Sequence, residues 1–347
     1  MLINWCILLG VVLLMAFYNA GYQANQSIEA PTHIQTTSKN PPKPLITNKK
    51  EQRKKLYQLL GKLPDRNRPI SVTLLSTQET DELIIEKLLL DINGQELVPA
   101  YFTKPRNHTG KLPIVLFNHS HFGQYEVGKE EFIRGRPEMQ QPPYALALGR
   151  AGYAGLCLDS WCFGERQNRK ELDTFKEMIW HGQVLWGMMV YDNLRALDYL
   201  QTRPEVDTKR IATMGMSMGS TMAWWLAALD ERIKVCVDLC CLTDYQALLD
   251  AKGLGLHGIY YYVPDLLTHF TTSDINGLIS PRPHFSLAGR FDALTPLPGL
   301  EKIDRSLKVI YQQDGASNAW QLRIYDVGHQ ETAAMRADIM TFYKKWL

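Results

Sequence analysis

Long hydrophobic runs are nearly absent from this chain. The one sustained apolar stretch, Ile7 to Tyr18, is too short for a comfortable membrane span. Its length suits the core of an export signal, so residues 1–24 are expected to form a signal peptide or a retained membrane anchor. An exported protein, whether periplasmic, secreted or membrane-anchored, is the matching expectation. No Lys or Arg precedes the run, which leaves open an N-terminal helix packed on the domain. Neither sign of charge dominates: 38 basic residues face 36 acidic ones, for a net charge of +2. That balance excludes a nucleic-acid binder driven by phosphate contacts. The basic residues Lys49, Lys50, Arg53, Lys54 and Lys55 read as a solvated helix face. Cysteine is scarce. Six residues (Cys6, Cys157, Cys162, Cys236, Cys240 and Cys241) match no zinc spacing, and no disulfide framework is expected in a chain with a full core. No internal repeat is visible.

What is present is an ordinary globular composition, 45% apolar and 21% charged, over 347 residues. A polar segment with Pro31, Pro41, Pro42 and Pro44 makes residues 25–48 a flexible tether. Residues 49–347 are then one domain.

The most informative stretch is Ile211-Ala-Thr-Met-Gly215-Met-Ser217-Met-Gly219, followed by the apolar run to Leu229. It reads as a short strand, Gly-x-Ser-x-Gly, then a helix. Gly215 and Gly219 leave space for Ser217 to sit on a sharp bend with its hydroxyl exposed. The helix that follows points its first N–H groups at the same spot, where an oxyanion would be held. Without that context the pentapeptide is only a tight turn with a solvated serine.

The surrounding pattern supplies a scaffold. Glu82 to Leu90, Asn93-Gly94 and Glu96 to Thr103 predict a β-hairpin. Strands are expected at Pro113 to Phe117, Tyr153 to Leu158, Ile211 to Met214, Ile233 to Val237, His284 to Ala288 and Gln321 to Tyr325. Helices are expected at Glu51 to Leu60, Tyr144 to Arg150, Gln183 to Leu200, Met218 to Leu229, Leu300 to Gln312 and Thr332 to Trp346. Alternating strands and helices call for an α/β fold with a mostly parallel central sheet and helices on both faces. The irregular stretch from Leu239 to Ser280, with Tyr260, Tyr261 and Tyr262, is expected to rim a pocket.

A serine hydroxyl needs a base, and the base needs an acid to orient it. Asp292 follows a strand 75 residues after Ser217, and His329 follows another strand 37 residues later. Asp238 and Asp244 are rival acids. His181, His257, His269 and His284 are rival bases, but most lack the strand-end position. The oxyanion donors are expected to be the N–H of Met218 and the N–H of His121, in the loop after Phe117. His108, His119 and His121 stand without acidic or cysteine partners at ligand spacing, so no metal site is expected, and no cofactor is required.

These segments resemble the α/β-hydrolase superfamily, in its dienelactone-hydrolase-like and acetyl-xylan-esterase-like branch. Further carrying segments are His119-Ser-His121, Leu158-Asp-Ser-Trp-Cys-Phe-Gly164-Glu165-Arg166, Asp192-Asn-Leu-Arg-Ala-Leu-Asp198, Arg203-Pro, Asp292-Ala-Leu-Thr-Pro296 and Gly328-His329. The resemblance implies Ser217 as nucleophile, Asp292 as acid and His329 as base. Ser120 departs from the glycine that often follows the histidine in that family. Dienelactone hydrolases use a cysteine nucleophile, so the serine favours the esterase side. The expected activity is hydrolysis of carboxylic esters with small acyl groups, acetyl esters of carbohydrates among them, acting on a small-molecule substrate. The alternatives are a serine peptidase or amidase on the same scaffold, or an inactive surface-anchored binding protein.

Overall fold

The computed structural model describes residues 48–347. The expected signal or anchor, residues 1–24, lies outside the described residues, as does the expected tether up to its last residue. Among the described residues no helix is long and apolar enough to cross a membrane.

The chain begins with helix α1 (Lys49–Gln58), then strands β1 (Ser71–Glu79), β2 (Leu83–Asp91) and β3 (Val98–Pro105). Strand β4 (Leu112–Asn118) is followed by helices α2 (Glu130–Arg134) and α3 (Tyr144–Arg150) and by strand β5 (Ala154–Leu158). Helices α4 (Glu171–Trp180) and α5 (Leu185–Leu200) lead to β6 (Val206–Met216), α6 (Met218–Leu229) and β7 (Ile233–Leu239). Three short helices, α7 (Tyr245–Asp250), α8 (Leu266–His269) and α9 (Thr272–Gly277), precede β8 (His284–Gly289). Helix α10 (Leu297–Gln313), strand β9 (Trp320–Tyr325) and helix α11 (Ala333–Trp346) follow.

The nine strands form one sheet in the order β1-β2-β3-β5-β4-β6-β7-β8-β9. The first three strands and the β3–β5 contact are antiparallel, and every pairing from β5 through β4 to β9 is parallel. This is the expected mixed sheet of an α/β-hydrolase. The expected hairpin is β2–β3, and its turn is closed chemically. The Asn93 side chain accepts the N–H groups of Gln95 and Glu96 at 2.8 and 3.0 Å, and its amide donates to Asp192 of α5 at 2.8 Å.

Successive residues of a strand face opposite sides of a sheet, and β4 shows what that does here. Ile114 and Leu116 join one apolar cluster with α5, α6 and α10, while Val115 and Phe117 join another with α3 and α11. Both faces are therefore covered, as parallel strands require. Helix α6 is buried at every position from Met218 to Ala228, which suits its nearly unbroken apolar sequence. Trp224 and Trp225 lie on it fully buried, with ring centroids 6.0 Å apart, and Trp186 of α5 stands 6.3 Å from Trp225.

Strand β1, helix α2 and helix α4 escaped the sequence pattern. Strand β1 pairs with β2 alone and is exposed along all nine residues. Its sequence Ser-Val-Thr-Leu-Leu-Ser-Thr-Gln-Glu has no alternation because it has no buried face to supply. Helix α4 has no side-chain cap and ends at Trp180, which is 88% exposed. The stretch from Leu239 to Ser280, expected to be irregular, holds α7, α8 and α9.

Candidate active site

Ser217 lies between the end of β6 and the start of α6, with φ 59° and ψ −119°. A non-glycine residue at positive φ is strained, and strain of this kind persists only when the surroundings impose it. The surroundings here are two glycines with no room for a side chain. A Cβ on Gly219 would sit 1.9 Å from the carbonyl oxygen of Asn118, and one on Gly215 would sit 2.5 Å from the same oxygen. The Ser217 N–H donates to Leu239 of β7 at 2.9 Å, which fixes the bend against the neighbouring strand. Met218, the first residue of α6, has no partner for its backbone N–H among the described residues, and neither does His121.

Asp292 and His329 come together at the ends of adjacent strands. His329 Nδ1 and Asp292 Oδ2 are 2.7 Å apart. Asp292 Oδ1 accepts the N–H of Leu294 at 2.9 Å, so both carboxylate oxygens are committed. The two loops meet because Gly289 lets the backbone of the His329 loop approach: a Cβ there would lie 2.2 Å from the carbonyl oxygen of Gly328. The carboxylate faces Nδ1, so the ring proton belongs there and Nε2 carries a lone pair. That Nε2 is buried and has no hydrogen-bond partner among the described residues. The structure thus joins Asp292 to His329 and places Ser217 at the same C-terminal edge of the sheet, without a hydrogen bond from Ser217 to the imidazole.

The rivals have other employment. Asp244 caps α7 through the N–H of Ala247 at 2.9 Å and pairs with Lys302 at 3.1 Å. Asp238 is buried in the sheet and bonded to His284 Nε2 at 2.6 Å and to Ser286 at 2.7 Å. His269 reaches Asp265, the residue that precedes α8, and His181 is an exposed residue at the end of α4. His257 is the one rival near the pair. It stacks on Tyr261 at 4.4 Å, faces the Leu294 carbonyl at 3.1 Å, and burial pushes its pKa down.

The loop after β4 is built around Ser120. Its N–H lies 3.1 Å from each carboxylate oxygen of buried Glu131, and its hydroxyl donates to the same group. Arg136 donates to Glu131 and reaches Gln124 at 2.7 Å. Burial raises the Glu131 carboxyl, against the pull of Arg136. The serine in a glycine position therefore has a purpose: its hydroxyl ties the loop to Glu131, which a glycine could not do. No local pattern announced Glu131 or Arg136. A second clamp holds the Leu158 to Arg166 segment. Asp159 accepts from the Lys129 N–H, the Lys129 ammonium and the Glu165 N–H at 2.7, 2.9 and 3.0 Å.

The two loop histidines differ. His119 is buried and satisfied, with Nδ1 3.0 Å from the Ser120 carbonyl and Nε2 accepting the Ser160 N–H at 3.0 Å; burial holds its pKa down to about 3. His121 accepts the Gly123 N–H on Nδ1 at 2.8 Å, and burial with Arg136 holds its pKa down to about 4. Its ring meets Tyr125, Phe163 and Tyr260 at 4.8, 5.2 and 5.7 Å. Phe122, at φ 47°, lies 5.3 Å from the His329 ring.

The expected pocket rim is divided. Tyr261 and Tyr262 line a cavity of about 280 Å³ with Tyr245, Leu248, Leu254 and Leu266, a lining that does not include Ser217, Asp292 or His329. Tyr260 turns instead to His121 and to Trp186, 5.7 Å away. Among the described residues, one cluster brings metal-ligating types together: Cys240, Asp292 and His329, within 4.8 Å of one another. Asp292 and His329 already bond each other, and burial pushes the Cys240 thiol well up, so this is a carboxylate–imidazole pair beside a neutral thiol. The five described cysteines are free and buried.

Residues 99–245 match the sequence profile of the dienelactone hydrolase family. YtaP of Bacillus subtilis (strain 168), whose name carries only a provisional assignment as a hydrolase, is 51% identical over 297 residues, covering 86% of this chain and 99% of that protein. Acetyl esterase Axe7A of Xylanibacter ruminicola is 24% identical over 229 residues, 61% of this chain and 47% of that one. Among solved structures, acetyl xylan esterase from Paenibacillus sp. R4 superposes with a TM-score of 0.57 at 18% identity, covering 89% of this chain and 97% of that one. Glucuronoyl esterase from Solibacter usitatus superposes with a TM-score of 0.61 at 14% identity, covering 84% and 91%. At such identities the solved structures establish a shared fold.

Proposed function

This chain belongs to the dienelactone hydrolase family, and from that premise we propose that it is a serine hydrolase of carboxylic esters. The reading is carried by one observation: a strained serine at a helix N-terminus shares a sheet edge with an imidazole whose Nδ1 is held by a carboxylate and whose Nε2 is unused. That is the set of parts an acyl transfer needs.

His329 Nε2 takes the proton of Ser217 as its oxygen attacks the ester carbonyl. The oxyanion of the tetrahedral intermediate accepts from the N–H groups of Met218 and His121. The C–O bond to the alcohol breaks, and His329 returns the proton to the departing oxygen. A water then repeats the sequence on the acyl-serine and releases the acid. Asp292 holds the imidazole in the tautomer this requires and offsets the charge that develops on it. The substrates are esters of small acyl groups, acetyl esters of carbohydrates among them, a class supported by the acetyl esterase likeness. No metal or organic cofactor enters any step.

Ser217→Ala tests the proposal. Hydrolysis of p-nitrophenyl acetate is expected to fall by a factor on the order of 10⁶, and labelling by a fluorophosphonate probe is expected to vanish. Turnover and labelling that survive the substitution would assign the nucleophile elsewhere.

A further inference from the structure

His121 carries a proton donor that the fold does not use. Its Nδ1 accepts the Gly123 N–H, so that nitrogen holds a lone pair. The ring is neutral at ordinary pH, because burial and Arg136 hold its pKa down to about 4. A neutral imidazole with a lone pair on Nδ1 has its proton on Nε2. That Nε2–H is buried and has no hydrogen-bond partner among the described residues. Buried donors are nearly always paired, and an unpaired one costs stability.

His119 supplies the internal comparison. It is the same residue type, two positions earlier and more deeply buried, and both its nitrogens have partners. The loop can therefore satisfy an imidazole, and it leaves this one open. The neighbours of His121 are rings: Tyr125, Phe163 and Tyr260. They offer flat apolar walls around a single N–H. The next residue, Phe122, packs on His329. The loop that carries His121 thus touches the proposed base, and the two imidazoles present opposite characters, one an N–H and the other a lone pair.

We propose that the His121 side chain is a specificity-determining residue: its Nε2–H donates to a second oxygen of the substrate, a hydroxyl or ether outside the ester group. The enzyme then selects oxygen-bearing esters over hydrocarbon esters of the same shape. This inference rests on the serine-esterase reading above. Its physical basis is asymmetric. An ester with the oxygen satisfies the donor, whereas its hydrocarbon isostere buries the N–H against a methylene.

The test uses the full chain and two isosteric pairs, one for each side of the ester. Ethylene glycol monoacetate is compared with propyl acetate, and methyl methoxyacetate with methyl butanoate. Each kcat/KM is divided by the hydroxide-catalysed rate of the same ester, which removes intrinsic reactivity. The wild-type protein is expected to prefer the oxygen-bearing member of one pair by about tenfold to a hundredfold. In His121→Phe that preference is expected to collapse toward one, and the pair affected reports which side of the ester the donor reads. His121→Leu serves the same purpose should the larger ring disturb the wall. A merely structural role would lower both members of a pair together and leave their ratio intact. No wild-type preference in either pair, or a preference that survives both variants, overturns the inference while ester hydrolysis stands. A wild-type protein that turns over none of the four esters and is not labelled by the fluorophosphonate probe takes down the esterase reading and this inference with it.

Discussion

Asp292→Asn is the sharpest perturbation the site offers, because the surrounding hydrogen bonds leave the amide one orientation. Asp292 Oδ1 accepts the Leu294 N–H at 2.9 Å while Oδ2 faces His329 Nδ1 at 2.7 Å. An asparagine must keep its oxygen toward Leu294, since turning the NH₂ there would set donor against donor. Its NH₂ then faces His329. The imidazole answers by accepting at Nδ1 and carrying its proton on Nε2, which removes the lone pair that would deprotonate Ser217. The geometry survives and the base does not. A wrong tautomer in such a triad costs on the order of 10⁴ in kcat, equivalent to about 5 kcal/mol of transition-state stabilisation. The assay is steady-state hydrolysis of p-nitrophenyl acetate by Asp292→Asn and Asp244→Asn side by side, with thermal melts to confirm folding. Asp244 caps α7 and pairs with Lys302, and asparagine caps as well as aspartate, so its variant is expected to keep turnover within about tenfold and to lose at most about 1 kcal/mol of stability, with the Lys302 pair. Should Asp292→Asn retain turnover within tenfold of the wild type, or Asp244→Asn lose as much, the acid has been misassigned.

Three further outcomes follow from the same structure. Gly219→Ala would force a methyl group to within 1.9 Å of the Asn118 oxygen, and the elbow must open to admit it. A loss of about 1–3 kcal/mol in urea denaturation together with a collapse of esterase activity is expected, and an unchanged protein would show that the bend tolerates a side chain. His119 is buried with a pKa near 3, against about 6.5 in an unfolded chain. The unfolded chain therefore binds a proton that the folded one refuses, so this contribution is complete above about pH 6.5 and is lost progressively as pH falls toward 3. His119→Gln is expected to flatten the acid limb of Tm against pH, and an identical limb would count against it. Glu131→Ala leaves the Ser120 N–H and the Arg136 guanidinium without their carboxylate in a buried setting. A loss of about 3–5 kcal/mol is expected, as for other broken buried pairs, and a melt within a degree of the wild type would contradict it.

The parts of the site that were legible in the sequence are those written locally. Gly215-Met-Ser-Met-Gly219 sits between a strand and a helix, and both signals lie within twenty residues. Asp292 and His329 each follow a short apolar strand, and β8 and β9 are adjacent, so their loops had to meet. What stayed hidden depends on contacts between distant segments. Asp238 looked like an acid at a strand end, but it faces His284 across the β7–β8 ladder, a partner 46 residues away. Glu131 lies in a five-residue helix with no pattern of its own, and its role follows from Ser120 and Arg136 closing on it in three dimensions. Strand β1 left no trace because exposure on both faces imposes no periodicity. Tyr260, Tyr261 and Tyr262 were a triplet in sequence and could not be told apart. The turn at Ile259–Tyr261 sends the first toward His121 and the second toward His257.

The tryptophan packing gives this molecule a built-in optical reporter. Trp186, Trp224 and Trp225 are shielded from water and close enough to exchange excitation energy, and Trp186 is one ring from Tyr260, which touches His121. Their emission is expected at shorter wavelength than that of Trp180, which lies on the surface. A molecule settling beside His121 is expected to perturb that inner luminescence through two ring contacts, so a fluorescence titration with no dye attached would follow occupancy.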